Sequence, residues 1–132
     1  MIEYIIRSLK NPHTGELKLY PQIAPAKTVT RRELIQNIEK VTSLSSSDVK
    51  SCLDALEFEI IRLLKSGQSV RMGDLGSFRP TLTADGTSSP EKVNANLIKR
   101  VRVRFTPSGE MARQLQPSAL EFRAYKFPGA ED

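Results

Sequence analysis

Three arginines spaced two residues apart, Arg100, Arg102 and Arg104, alternate with Val101, Val103 and Phe105. On an extended strand this alternation puts the guanidinium groups on one face, roughly 6 to 7 Å apart, and the apolar side chains on the other. Guanidinium forks bind phosphate oxygens bidentately, and arginines also favour a narrow minor groove, so the ladder suits a nucleic-acid backbone. Any antiparallel strand with one wet face alternates in the same way, so its neighbours must decide. Lys99 adjoins the ladder, and Arg79 and Lys92 precede it in the same stretch. Between residues 67 and 105, seven basic side chains (Arg71, Arg79, Lys92, Lys99, Arg100, Arg102, Arg104) stand against Asp74, Asp85 and Glu91. That net +4 is most of the +5 carried by the whole chain. Charge concentrated in one segment marks where a polyanionic partner would be met.

Other chemistry is sparsely supplied. Cys52 is the only cysteine and His13 the only histidine, which excludes an intramolecular disulfide framework, a multi-cysteine zinc site and a multi-histidine metal centre. No paired acid and base groups and no phosphate-cradling glycine loop can be assembled, so neither an enzyme nor a cofactor is expected. Aromatic residues make up 6% of the chain and tryptophan is absent, which favours duplex over single-strand recognition. The 132 residues fit one compact soluble domain. No apolar run reaches the roughly 18 residues of a membrane span, and Glu3 and Arg7 interrupt the first one, so no export signal is expected.

The elements that must position the ladder can be read from periodicity. Residues 2–9 and 17–20 alternate around the turn-forming Asn11-Pro12-His13-Thr14-Gly15, predicting an N-terminal β-hairpin with His13 exposed at its tip. A connector follows from Pro21 to Thr28. Thr30 and Glu33 have capping-box spacing ahead of Leu34, Ile35, Ile38 and Val41, predicting a helix over about 31–42. Ser45 and Asp48 repeat that signal. The second helix carries a stripe of Val49, Cys52, Leu53, Leu56, Ile60, Leu63 and Leu64, flanked by Ala55, Phe58 and Ile61. One short partner helix cannot cover that much apolar surface, so a symmetric dimer is expected, with Cys52 buried and inert. Gly67 closes the helix. Strands are predicted over 69–72 and 77–82, a loop over 83–96, and a returning strand over 97–105, whose valines are expected to bury. Thr106-Pro107-Ser108 opens a short helix, with Pro107 in its first turn, and Pro117 stops it. Residues 120–127 read as a strand able to pair with the N-terminal hairpin, and 128–132 as a frayed end.

This order of elements from about Thr30 to Leu115 resembles the HU and IHF group of bacterial histone-like DNA-binding proteins. The most specific pieces are Leu34-Ile35, Leu44-Ser45, Gly67 before Val70, Leu75-Gly76-Ser77-Phe78, and Phe105-Thr106-Pro107-Ser108. The resemblance implies an α+β fold: an intertwined homodimer with a helical body and two β-ribbon arms gripping the DNA minor groove. Each arm would run from about Arg79 to Arg104. The implied contacts to double-stranded DNA are Arg79, Pro90, Lys92, Lys99, Arg100, Arg102 and Arg104. The implied setting is the bacterial cytoplasm and nucleoid, with no membrane or small-molecule partner. Residues 30–116 would form the HU-like domain, 1–29 an added hairpin and 117–132 an added strand and tail, as in a divergent HU-related branch. Phe78 and Phe105 are expected in the core.

The departures matter as much. In that family an arm-tip proline wedges between base pairs inside an Arg-Asn-Pro-x-Thr-Gly run, and no such run lies in this arm. Pro90 is its only proline near the tip, with Glu91 beside it unfavourably placed for phosphates. Asn11-Pro12-His13-Thr14-Gly15 is similar to the missing run but precedes the first helix and reads as a hairpin turn. Asp74 stands where the family commonly has glycine. These departures leave an alternative: an HU-like structural or protein-interaction module with reduced DNA binding.

Overall fold

In a computed structural model, residues 1–126 are described, and they fall into two compact units. One comprises Met1–Val29 with the chain from Arg113 onward; the other is Thr30–Ala112. The expected frayed end, 128–132, lies outside the described residues.

The second unit is mixed α and β. Thr30 caps α1 (Arg31–Val41) by accepting the Glu33 backbone N–H, and Ser45 does the same for α2 (Ser46–Lys65) through Asp48. Both caps use the short polar side chain to satisfy a backbone donor that the helix leaves free. Arg31 ties the two helices together through Asp54 and Glu57, while Lys50 reaches Asp54 along α2. Gly67 ends α2 at φ +82°, a left-handed turn suited to glycine. Strands β3 (Val70–Met72), β4 (Gly76–Ala84) and β5 (Ile98–Pro107) then form an antiparallel sheet in that order. Helix α2 packs against β3 and β4.

Gly76 is buried where β4 passes β5. A Cβ there would run into the Thr106 carbonyl oxygen and the Phe105 ring, so no larger residue fits this approach. One step along, Phe78 lies opposite Phe105, with ring centroids 5.2 Å apart and planes tilted by 50°. The rings pack on each other, but neither lies in the core where both were expected: Phe78 is half-buried and Phe105 is exposed.

The core of this unit is small. Val49 is its only buried large hydrophobic residue among the described residues, and most of the α2 stripe is half or fully exposed. Cys52, expected to be buried in a dimer, is exposed in the single copy. Val101 and Val103, expected to bury, are likewise open. Pro107 is not in the first turn of the short helix. It ends β5 opposite Gly76, and α3 (Gly109–Gln114) starts two residues later because Ser108 takes the capping role.

The other unit is a three-stranded sheet in the order β2-β1-β6. Strands β1 (Ile2–Lys10) and β2 (Leu17–Ile23) form the expected hairpin. In its turn the Asn11 side chain accepts from the His13 and Thr14 backbone N–H groups, and Gly15 takes φ +72°. Pro21 sits within β2 rather than in the connector, opposite Ile6, because an edge strand does not need its missing N–H. Strand β6 (Phe122–Ala124) runs parallel to β1, with Ile2 opposite Phe122. It is shorter than the predicted strand over 120–127, of which position 127 lies outside the described residues.

Candidate nucleic-acid interface

The pairing of β4 with β5 decides which side chains share a face. Thr83, Thr81 and Arg79 stand opposite Arg100, Arg102 and Arg104, and Ser77 stands opposite both Thr106 and Arg71. Since side chains alternate across a sheet, these residues line one surface. The reverse surface carries Leu82 against Val101, Pro80 against Val103 and Phe78 against Phe105. The ribbon is therefore cationic on one side and apolar on the other.

Arg79 and Arg104 form a direct cross-strand pair of like charges. Such a pair is repulsive unless an anion lies between the two groups. Among the described residues neither makes an ion pair, and the same holds for Arg100, Arg102 and Arg71. Their donors are therefore not committed to carboxylates of the described residues. The result is a strip of five guanidinium groups across three strands, with threonine and serine hydroxyls between them. It can donate bidentate, charge-assisted hydrogen bonds to phosphate oxygens.

Arg71 was absent from the expected contacts. Its signal was present in the sequence as parity: it lies six positions before Ser77, across one tight turn, and Ser77 shares a face with Arg79. Only the register of β3 against β4 makes that parity usable.

Lys99 behaves differently from the arginines. The pairing shifts between Thr83 and Ala84, so Ala84 faces Ile98 and Lys99 falls at the irregularity. Its ammonium lies 3.0 Å from the Asp85 carboxylate, in an exposed ion pair at the base of the loop. The loop is closed by the Asp85 N–H donating to the Leu97 carbonyl and contains 3-10 turns at Pro90–Lys92 and Ala95–Leu97. Pro90 opens the first of these turns and is exposed, as is Lys92 two residues on. The structure thus gathers Arg79, Arg100, Arg102 and Arg104 on one surface and leaves Pro90, Lys92 and Lys99 in or beside the loop.

Among the described residues no group of three or more His, Cys, Asp or Glu side chains could hold a metal ion, and no helix is long and apolar enough to cross a membrane.

Residues 1–122 match the HU-HIG family, described as an HU domain fused to wHTH, Ig, or glycine-rich motif. Over 56 residues the chain is 34% identical to a Thermus thermophilus protein named DNA-binding protein HU; the match spans 42% of this chain and 58% of that relative. A solved Bacteroides vulgatus structure, described as a candidate bacterial DNA-binding protein, superposes with a TM-score of 0.64 at 10% identity. The superposition covers 93% of this chain and 47% of that one. The likeness to the solved structure is one of fold, and the chain spans about half of it.

Proposed function

The chain belongs to the HU-HIG family, and on that premise we propose that it is a non-enzymatic binder of double-stranded DNA. In this reading two copies pair through the exposed stripe of α2, and each contributes a β4–β5 arm that lies along the minor groove. The observation that carries the reading is the unpaired arginine face, above all Arg79 opposite Arg104. A duplex presents a dense line of phosphates, and a cationic ribbon gains affinity by releasing the counterions they hold. Arginines at a narrow minor groove respond to its potential and width and not to a base-edge code, so sequence preference is weak. Such binding fits an architectural role in a bacterial nucleoid. The 34% identical relative named DNA-binding protein HU supports the same reading.

Affinity belongs to the arginines in this scheme. Lys99 contributes less because Asp85 already holds it, and at Pro90 the neighbouring Glu91 opposes close approach to phosphate. A salt titration on a random duplex tests the proposal. Log affinity should fall with log salt at about −0.9 per phosphate neutralised, and replacing Arg100, Arg102 and Arg104 by glutamine removes six arginines from the dimer and should lower the slope by about 5 units while leaving the circular dichroism unchanged.

The Lys99–Asp85 pair and the absence of a wedge run favour a second reading, an HU-like structural or protein-interaction module. Undetectable or salt-insensitive binding by the wild-type chain would select it.

A further inference from the structure

Within its own unit, the sheet formed by β1, β2 and β6 has one face that no other described element covers. Side-chain alternation and pairing place Ile6, Leu17, Leu19, Pro21, Ile23 and Phe122 on it. The opposite face is more polar: Arg7 donates to Gln22 and Arg123 pairs with Glu3 there, beside Ile5, Leu9 and Tyr20. The open face is therefore an unpartnered half of a sandwich, since a sheet with one apolar face is stable when that face packs on another layer.

We propose that this face packs against the same face of a second copy of the chain. Ile6 and Leu19 are each 72% exposed, Leu17 68%, Ile23 63% and Phe122 48%. Taking about 200 Å² for a fully exposed large apolar residue, these five alone offer on the order of 600 Å² per copy. A symmetric pair would then bury about 1,200 Å², which reaches the range of specific interfaces.

Two further features select an identical partner. The face carries no acidic side chain, and its single cation, Lys10 opposite Leu17, lies at the turn end and so at the rim of any contact. Nothing on it would recognise a partner by charge, whereas a two-fold pairing needs only matching shape and apolar area. Edge-to-edge growth of the sheet is discouraged, because Pro21 removes a donor from the outer strand β2 and β6 is three residues long. Face-to-face packing remains. The Ile6–Pro21 row lies midway along the patch, so the two-fold axis passes near Ile6.

This contact is independent of the helical pairing proposed above, and its test separates the two. Ile6→Cys and Arg7→Cys, each made in the full chain carrying Cys52→Ser, place a thiol on the open face or the polar face of the same strand. With a short bis-maleimide, Ile6→Cys should give covalent dimers at least five-fold faster than Arg7→Cys, and adding Leu19→Lys should abolish the difference. Dimerisation through α2 alone brings both positions into one particle without distinguishing them. Equal rates, or no cross-linking at position 6, would overturn the proposal. Sedimentation of the Leu19→Lys chain reports separately on the helical pairing: a dimer retains it and a monomer removes it.

Discussion

At the scale of single residues, the most informative feature is a local repulsion. Arg79 and Arg104 face each other directly and neither has an acidic partner among the described residues. Like charges so placed cost a few tenths to about 1 kcal/mol. Arg79→Thr should therefore raise the stability of the free protein by about that amount in urea titration while weakening duplex binding, because the cost is repaid only when phosphate lies between the guanidiniums. If stability and affinity fall together, Arg79 serves packing and not binding. Asp54 shows the opposite situation. The Lys50 ammonium and then the Arg31 guanidinium hold its carboxyl below the ordinary carboxylate range. A folded value below the unfolded one means that the stabilisation is present at neutral pH and is lost as pH falls through the folded value. Carboxyl NMR should show Asp54 titrating below the ordinary aspartate range, and Lys50→Met together with Arg31→Met should return it to that range.

At the scale of elements, the joint between the β3–β4 turn and α3 rests on Ser108. Its hydroxyl donates to the Asp74 carbonyl and accepts the Met111 N–H, while its own N–H donates to the Leu75 carbonyl. Ser108→Ala removes a helix cap and a turn tie together and should cost about 1 to 2 kcal/mol in chemical denaturation; Ser108→Thr should keep most of it. The caps at Thr30 and Ser45 and the alternation of β4 and β5 were legible in the sequence because each is a local pattern with a local cause. What was not legible depends on pairing across distance. The parallel alignment of β6 on β1 joins residues about 120 positions apart. The shift at Thr83/Ala84 that sends Lys99 to Asp85 leaves no trace in composition. Arg71 belongs to the cationic face only through the β3 register. Pro107 reads as a helix start, yet the cross-strand approach at Gly76 extends β5 through it. In the candidate site, the sequence supplied the arginines and their common face but not the partner opposite each one.

At the scale of the whole molecule, the governing fact is how little is buried. Ala24 and Val49 are the only buried hydrophobic residues among the described residues of a chain that is 39% hydrophobic. Native stability is a small difference between apolar burial and conformational entropy, and the pairing proposed above would add to the favourable term. The stripe on α2 and the open face of the β1-β2-β6 sheet are where association would supply it. Folding should then be coupled to assembly, and mass action makes such stability depend on concentration. The thermal midpoint should rise by several degrees between about 1 and 100 μM protein, with a single transition by far-UV circular dichroism, since each kcal/mol moves the midpoint of a domain this size by roughly 3 to 6 °C. Phe58→Glu or Ile61→Glu on the exposed flank of α2 should lower the midpoint and flatten that dependence by removing the apolar contact. A wild-type midpoint unchanged across the same range would mean that the single chain is stable alone, and the pairing through α2 would have to be abandoned.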